Sequence, residues 1–331
     1  MSKKKLKVKI KPLGILDLMA FKNLVSNREK VMASGSNARL KVDPMNKLAR
    51  KLHPDRQYLV IGNVKKETKS TRTFRLIADP ESETKSLANF RAGQYLSIKA
   101  EVDGVATSRP YSLSSAPSDL LKNGYYEITV KKVANGFMTD HMWKNWKVGT
   151  KVECSDPTGL FYYEPIRDGN NVVGIAGGSG ITPFRSLARE MVNGDSDLRL
   201  TVLYGSSDEN DIVFYEDLKR LEDLTNGRLK VVNVLSCENP TLKGCKTGFI
   251  SQDVIKKYSD PAKSVYFLCG PEVMYRFAMS ELGSFKLRRK QIRRELFSGT
   301  DDVTRFQDFP KDVAGCNCEY GRIEKKYPGQ G

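Results

Sequence analysis

The chain has few of the residues from which metal sites and nucleophilic centres are built. Among 331 residues there are two histidines, His53 and His141, so neither a histidine-ligated metal nor a histidine-based triad is expected. The six cysteines (Cys154, Cys237, Cys245, Cys269, Cys316 and Cys318) form no C-x2-C pair and no C-x4-C-x2-C run. Recognisable zinc and plant-type iron–sulfur motifs are thereby excluded, and reduced thiols without a metal are expected. No apolar run approaches the roughly 18 residues of a membrane-spanning helix. The amino terminus, MSKKKLKVKIKPLG, is basic but lacks the apolar core and small-residue cleavage site of a secretory signal, so the chain reads as cytoplasmic. Acidic residues are also in deficit. Lys and Arg number 55 against 39 Asp and Glu, a net charge of +16, which favours an acidic partner. No nucleic-acid motif accompanies the basic residues, so nucleic acid is not expected.

What is present divides the chain in four. Residues 1–55 form a basic extension with helical spacing over Ile15–Val25 (Leu16, Met19, Ala20, Leu24) and Met45–Leu52. Local packing is the plainer reading of this segment, with peripheral membrane contact as its alternative. Residues 56–165 are β-rich. Alternating runs at Tyr58–Val64, Thr71–Ala78, Gln94–Ala100, Tyr125–Val133 and Lys151–Ser155 are separated by turn signals such as Asp103-Gly104 and Asn135-Gly136. Strands at this spacing predict an antiparallel barrel, with one helix over Phe137–Trp146. Residues 166–299 change texture. An apolar strand, Val172–Ala176, precedes a helix over Thr182–Asn193. Leu198–Tyr204, Phe214–Leu224, Leu229–Val234, Gly248–Lys257, Ser264–Cys269, Pro271–Leu282 and Gln291–Phe297 then continue the strand–helix alternation. Such alternation predicts a doubly wound parallel sheet. Residues 300–331 read as a polar tail.

Four segments carry chemistry. Arg109-Pro110-Tyr111-Ser112, placed at the start of a barrel strand, offers a cation, a flat aromatic and a small hydroxyl in turn. These suit the diphosphate, the ring and the reactive nitrogen N5 of a flavin nucleotide. Gly177-Gly178-Ser179-Gly180-Ile181-Thr182-Pro183 joins a strand to a helix start, where glycines admit a diphosphate closely and helix amides attract it. Pro183 suits a first helical turn. The loop is neither G-x-G-x-x-G nor G-x4-G-K-[ST], so an ATP-type loop is disfavoured. Cys269-Gly270-Pro271 closes another apolar strand, at the strand end where doubly wound sheets bind ligands. A small buried core thiol is the alternative for Cys269. Gly136-Phe137-Met138-Thr139 offers amides and a hydroxyl to a diphosphate, or simply caps a helix.

In chain order (RPYS, the Gly136 segment, GGSGITP, Tyr204-Gly205-Ser206, Cys269-Gly270-Pro271 and then Glu295-Leu296-Phe297) and in spacing, residues 56–298 resemble the ferredoxin–NADP reductase superfamily. The likeness is to its oxygenase-reductase and flavohaemoglobin-reductase branch. The resemblance implies a six-stranded FAD-binding barrel followed by a nicotinamide-binding α/β domain. Arg109 would bind the FAD diphosphate, Tyr111 would pack on the flavin and Ser112 would hydrogen-bond near N5. Val133, Met138 and Thr139 would line the diphosphate. Gly177, Gly178, Gly180 and Thr182 would receive the nicotinamide cofactor, and Cys269 would approach the nicotinamide. Glu295 and Phe297 would form an acidic and aromatic pair beside the flavin.

The implied activity is transfer of a hydride from NADH or NADPH to FAD, then of single electrons to a protein acceptor. Ser206-Ser207-Asp208-Glu209 follows Tyr204-Gly205, and no basic residue occurs before Lys219. A 2′-phosphate wants cations there, so NADH is favoured. Without iron–sulfur cysteines, the acceptor is expected to be separate, an acidic ferredoxin-like or flavodoxin-like protein. The alternative is an FAD-binding electron-transfer or regulatory subunit of a larger complex.

Overall fold

The computed structural model describes residues 24–34, 45, 48–49, 52–194, 197–237 and 239–296. Met1–Leu48 forms a unit of its own, in which a helix, α1, covers Leu24–Ala33. The expected helix over Ile15–Val25 falls almost wholly outside the described residues, and that over Met45–Leu52 is only partly within them. Cys316, Cys318 and Phe297 also lie outside.

The second unit opens with an antiparallel sheet of six strands: β1 (Gln57–Lys66), β2 (Thr71–Ala78), β3 (Tyr95–Val102), β4 (Val105–Ser112), β5 (Tyr125–Lys131) and β6 (Lys151–Cys154). Their order is β4-β3-β6-β1-β2-β5, and a bridge between Leu113 and Ile128 brings the end of β4 back to β5. Leu59, Phe74, Leu76, Leu96, Ile98 and Tyr126 fill the interior. Asp103 and Gly104 both take positive φ (50° and 77°), the conformation of a two-residue hairpin turn, so β4 starts at once after β3. The RPYS segment is therefore the end of its strand and not, as expected, the start. Pro110 is tolerated because β4 is the last strand in the sheet order. Two short helices were not expected: α2 (Pro117–Asn123) and, after the predicted helix α3 (Phe137–Asn145), α4 (Pro165–Asp168).

From β7 (Asn171–Gly177) the chain alternates: helix α5 (Thr182–Asn193), β8 (Arg199–Ser206), α6 (Tyr215–Leu224), β9 (Leu229–Leu235), a two-residue strand β10 (Lys246–Thr247), α7 (Gln252–Tyr258), β11 (Val265–Gly270), α8 (Glu272–Gly283) and β12 (Ile292–Leu296). Helix α7 begins four residues later than expected, because Gly248 sits at φ +101° and cannot continue a helix. The parallel order is β10-β9-β8-β7-β11-β12. Strand order reverses direction between β7 and β11, the switch point at which such sheets open a crevice. Both central strands are buried on both faces, as their unbroken apolar sequences require. Among the described residues no helix is long and apolar enough to cross a membrane.

Helix α5 joins the two halves. Phe184, Leu187, Ala188 and Met191 pack in the core of the α/β half. Gly174 makes room for Phe184, since a Cβ there would stand 2.6 Å from its ring. The polar residues of α5 turn to the barrel. The guanidinium of Arg185 donates to Ser114 O (2.9 Å) and Glu127 (2.9 Å), and Ser186 Oγ donates to Ser115 O (2.6 Å). Arg189 forks onto Asp119 of α2 through two bonds of 2.9 and 2.7 Å.

Candidate functional site

The barrel contributes the end of β4. Arg109 is exposed, and among the described residues its guanidinium reaches only the neighbouring Ser108 carbonyl (2.9 Å). Tyr111 is half-buried, and burial pushes its phenol up to about 12 despite nearby Arg109. Ser112, on the opposite face of the strand, is 5% exposed, and its Oγ has no hydrogen-bond partner among the described residues. A buried hydroxyl left unpaired costs about 1–3 kcal/mol, so it marks a place where an acceptor belongs.

The α/β half contributes backbone. Gly177 pairs with Gly205 across β7 and β8, and a Cβ on Gly177 would lie 2.4 Å from Met274 Sδ. At Gly180 a Cβ would stand 2.0 Å from the carbonyl oxygen of Cys269, so the two strand-end loops touch through main chain. Gly178 takes φ +53° and leaves its Cβ position open, with Lys131 Nζ the nearest atom at 3.7 Å. The loop is anchored on both sides. Tyr204, fully buried, donates to Gly178 O (3.0 Å) and accepts from Val213 N, and Thr182 Oγ1 donates to Ser179 O (2.6 Å). The Lys131 ammonium is paired with Asp211, which also accepts from Ser70 Oγ (2.8 Å).

Cys269 lies in register with Ala176 of β7 and Glu295 of β12, which puts the thiol and the carboxyl side by side on one sheet face. The thiol is 1% exposed and packed in the core. Burial, aided by Glu295, lifts it well above its ordinary range, so it stays protonated. Burial also lifts Glu295 to about 7. Next along the same face of β12, Arg293 donates to the buried carboxylate of Asp168 (2.9 Å), and that carboxylate also binds Arg167.

The Gly136 segment forms a third cluster. Thr139 Oγ1 donates to Gly136 O (3.3 Å) and lies 3.3 Å from Val133 N, while Val133 is exposed. Met138 turns its side chain into the barrel core and can offer a ligand only main-chain atoms. Pro183, Gly270 and Pro271 stand at helix starts and strand ends beside the switch point, and Ser206 is buried at the end of β8. The sequence reading missed Arg185, Glu127 and Asp217. Arg185 was visible only as a charged residue on an otherwise core-facing helix.

A buried hydroxyl without a partner among the described residues, at the end of a barrel strand, and a glycine loop at a sheet switch point together suit a two-domain oxidoreductase built for a flavin and a dinucleotide. Comparison with known proteins agrees. Residues 59–163 match the oxidoreductase FAD-binding domain and residues 175–280 the oxidoreductase NAD-binding domain. The chain belongs to the ferredoxin–NADP reductase superfamily. It is 30% identical over 220 residues to NADH-cytochrome b5 reductase 2 of Ajellomyces capsulatus, covering 65% of this chain and 66% of that one. It is 27% identical over 258 residues to a flavohemoprotein of Oceanobacillus iheyensis, covering 76% of this chain and 61% of the relative. A second flavohemoprotein, from Dictyostelium discoideum, is likewise spanned over only 59% of its length. Among solved structures, the flavohem-like FAD/NAD-binding domain of nitric oxide dioxygenase from Vibrio cholerae superposes with a TM-score of 0.63 at 22% identity. That match covers 73% of this chain and 98% of the other.

Proposed function

We propose that this protein oxidises NADH on a bound FAD and delivers the electrons to a separate, acidic redox protein. When bound, FAD takes a hydride from the reduced nicotinamide and releases electrons singly, and that chemistry is the cofactor's own. The chain's task is to hold, align and shield the reacting atoms.

The observation that carries the proposal is the buried, unpartnered Ser112 hydroxyl, two residues from a carbonyl that helix α5 grips. Ser112 Oγ would donate to the flavin near N5, Tyr111 would lie along the flavin and exposed Arg109 would meet the diphosphate. Thr139, with the main chain of Gly136 and Met138, would complete the diphosphate contact. Gly177, Gly178 and Gly180 would let the nicotinamide cofactor approach the main chain, with Thr182 at the helix start. Cys269, held protonated, would be a small polarisable wall beside the nicotinamide and not a nucleophile. Glu295 would be the one titratable carboxyl at that wall able to change charge near neutral pH.

NADH is favoured because Asp208 and Glu209 follow Ser206-Ser207 at the end of β8, where a 2′-phosphate would need cations. The net charge of +16 supports an acidic acceptor, and the likeness to the glycine betaine monooxygenase reductase subunit of Chromohalobacter salexigens supports an acceptor on a separate protein. Steady-state oxidation of NADH and NADPH with ferricyanide tests the reading. Turnover by the FAD-loaded protein with NADH preferred supports it, and no turnover with either cofactor overturns it.

A further inference from the structure

We propose that Arg185 is a positioning residue that sets the separation between the flavin-side and nicotinamide-side halves of the site, an inference that rests on the function proposed above. Arg185 is 6% exposed, and its guanidinium uses its donors in both halves. Nε binds Asp217 of α6 (2.7 Å), while Nη1 binds the Ser114 carbonyl and Glu127 of the barrel (2.9 Å each). Phe214 covers its face, with the ring centre 4.4 Å from the guanidinium carbon. Ser114 is two residues beyond Ser112, and Arg185 is one helical turn beyond Thr182. Among the side chains that bridge the halves, Ser186 to Ser115, Arg189 to Asp119 and Lys131 to Asp211 included, Arg185 is the one that bonds the segment just beyond the orphaned hydroxyl and helix α6 at once.

The surrounding chemistry makes this link stiff. Ser114 is pinned from the barrel side as well, its N–H donating to Glu127 O (2.7 Å) and its hydroxyl accepting from Thr129 (2.9 Å). Burial alone would raise the Glu127 carboxyl, but Arg185 and Arg75 outweigh it and keep the group ionised. The same competition, won by Arg185, Arg220 and Arg189, keeps Asp217 ionised. Buried ion pairs add little net stability compared with well-packed apolar groups. What such a pair supplies here is direction, because a planar fork accepts carboxylates and a carbonyl only at fixed angles. Transfer between two bound rings is steep in distance, and a displacement of about 1 Å can slow a reaction roughly a hundredfold.

The test compares Arg185→Met, Arg185→Lys and Glu127→Gln with the wild-type full chain. Hydrogen exchange, recorded without any nicotinamide, should rise by about tenfold or more at the amides of residues 113–115 in Arg185→Met, while the barrel strands stay protected. In anaerobic rapid mixing with NADH, flavin reduction should slow by about tenfold or more while NADH affinity changes by less than about threefold. The long-wavelength charge-transfer absorbance of the bound pair should weaken, and Arg185→Lys should recover part of it. Arg185→Met with exchange and reduction within about twofold of wild type overturns the proposal. If Arg185→Met fails to hold FAD, the isosteric Glu127→Gln decides: slower reduction with normal NADH affinity supports the link, and unchanged kinetics and exchange overturn it. A wild-type protein that holds FAD but is reduced by neither nicotinamide would overturn the proposed function instead, and the exchange result would still report on the Arg185 link.

Discussion

The two sides of the candidate site are built by opposite means. On the barrel side the candidate contacts are side chains, Arg109, Tyr111 and Ser112, carried on the last strand of the barrel sheet. On the α/β side they are the absence of side chains at Gly177, Gly178 and Gly180, on a loop clasped by Tyr204 and by the Cys269 main chain. A side-chain contact can be removed without moving its neighbours. A cradle made of close main-chain approaches cannot. Mutations on the two sides should therefore fail differently, the first in rate and the second in structure.

The sharpest break should come from Gly180→Ala. Its new Cβ would stand 2.0 Å from the Cys269 carbonyl oxygen, so the loop or β11 must shift. Overpacking of this kind costs about 1–3 kcal/mol, and the distorted cradle should reduce nicotinamide-driven flavin reduction by about a hundredfold while FAD stays bound. Wild-type NADH affinity in this variant would show that the cradle is not where the dinucleotide lies.

Ser112→Ala should slow flavin reduction by roughly tenfold with FAD retained, and the FAD-free variant should unfold at a midpoint equal to or above that of the FAD-free wild type. The stability half of this expectation follows from removing a buried, unpaired hydroxyl. An unchanged reduction rate would remove Ser112 from the mechanism.

Gly178→Ala sharpens the contrast within the loop. Nothing lies nearer than 3.7 Å to the added Cβ, so only the left-handed backbone at φ +53° is penalised, by about 1–2 kcal/mol. Its effect on reduction should be far smaller than that of Gly180→Ala, and equal effects would contradict the steric account.

The smallest effect concerns Glu295. Burial raises its folded-state pKa to about 7, so the folded chain holds that proton more tightly than the unfolded chain does. Its contribution to stability is therefore full below the ordinary carboxylate range and is lost as pH rises to about 7. Asp119, Glu127 and Asp217, held below their ordinary range, work in the opposite sense at lower pH. The wild type should thus lose stability relative to Glu295→Gln between roughly pH 5 and pH 8, read from urea midpoints. Parallel curves would place Glu295 in water.

Much of this arrangement was legible in the sequence, for reasons that differ along the chain. The central strands β7 and β11 are continuous apolar runs flanked by glycine, and GGSGITP announces its own strand–turn–helix context. The position of RPYS within its strand was not legible. Val105–Pro110 lies at the end of the sheet order and is mostly exposed, so no alternation marks where β4 begins. Helix α2 carries Pro117 at its start and Asp119 accepting from Ala116 N (2.8 Å), a capping signal that the sequence held and that went unread. The Arg185 link was out of reach, because its partners at Ser114, Glu127 and Asp217 come from three separate elements that only the packing of the halves brings together.

The central claim is that the orphaned hydroxyl and the glycine cradle serve one reaction in one crevice. The most direct test is an anaerobic absorbance titration of the purified, FAD-loaded chain with NADH. The account predicts a yellow protein whose flavin bands bleach completely with about one equivalent of NADH, because both cofactors meet in a single site. A flavin that stays oxidised through an excess of NADH and of NADPH would contradict it, and would leave a chain that binds FAD for another purpose.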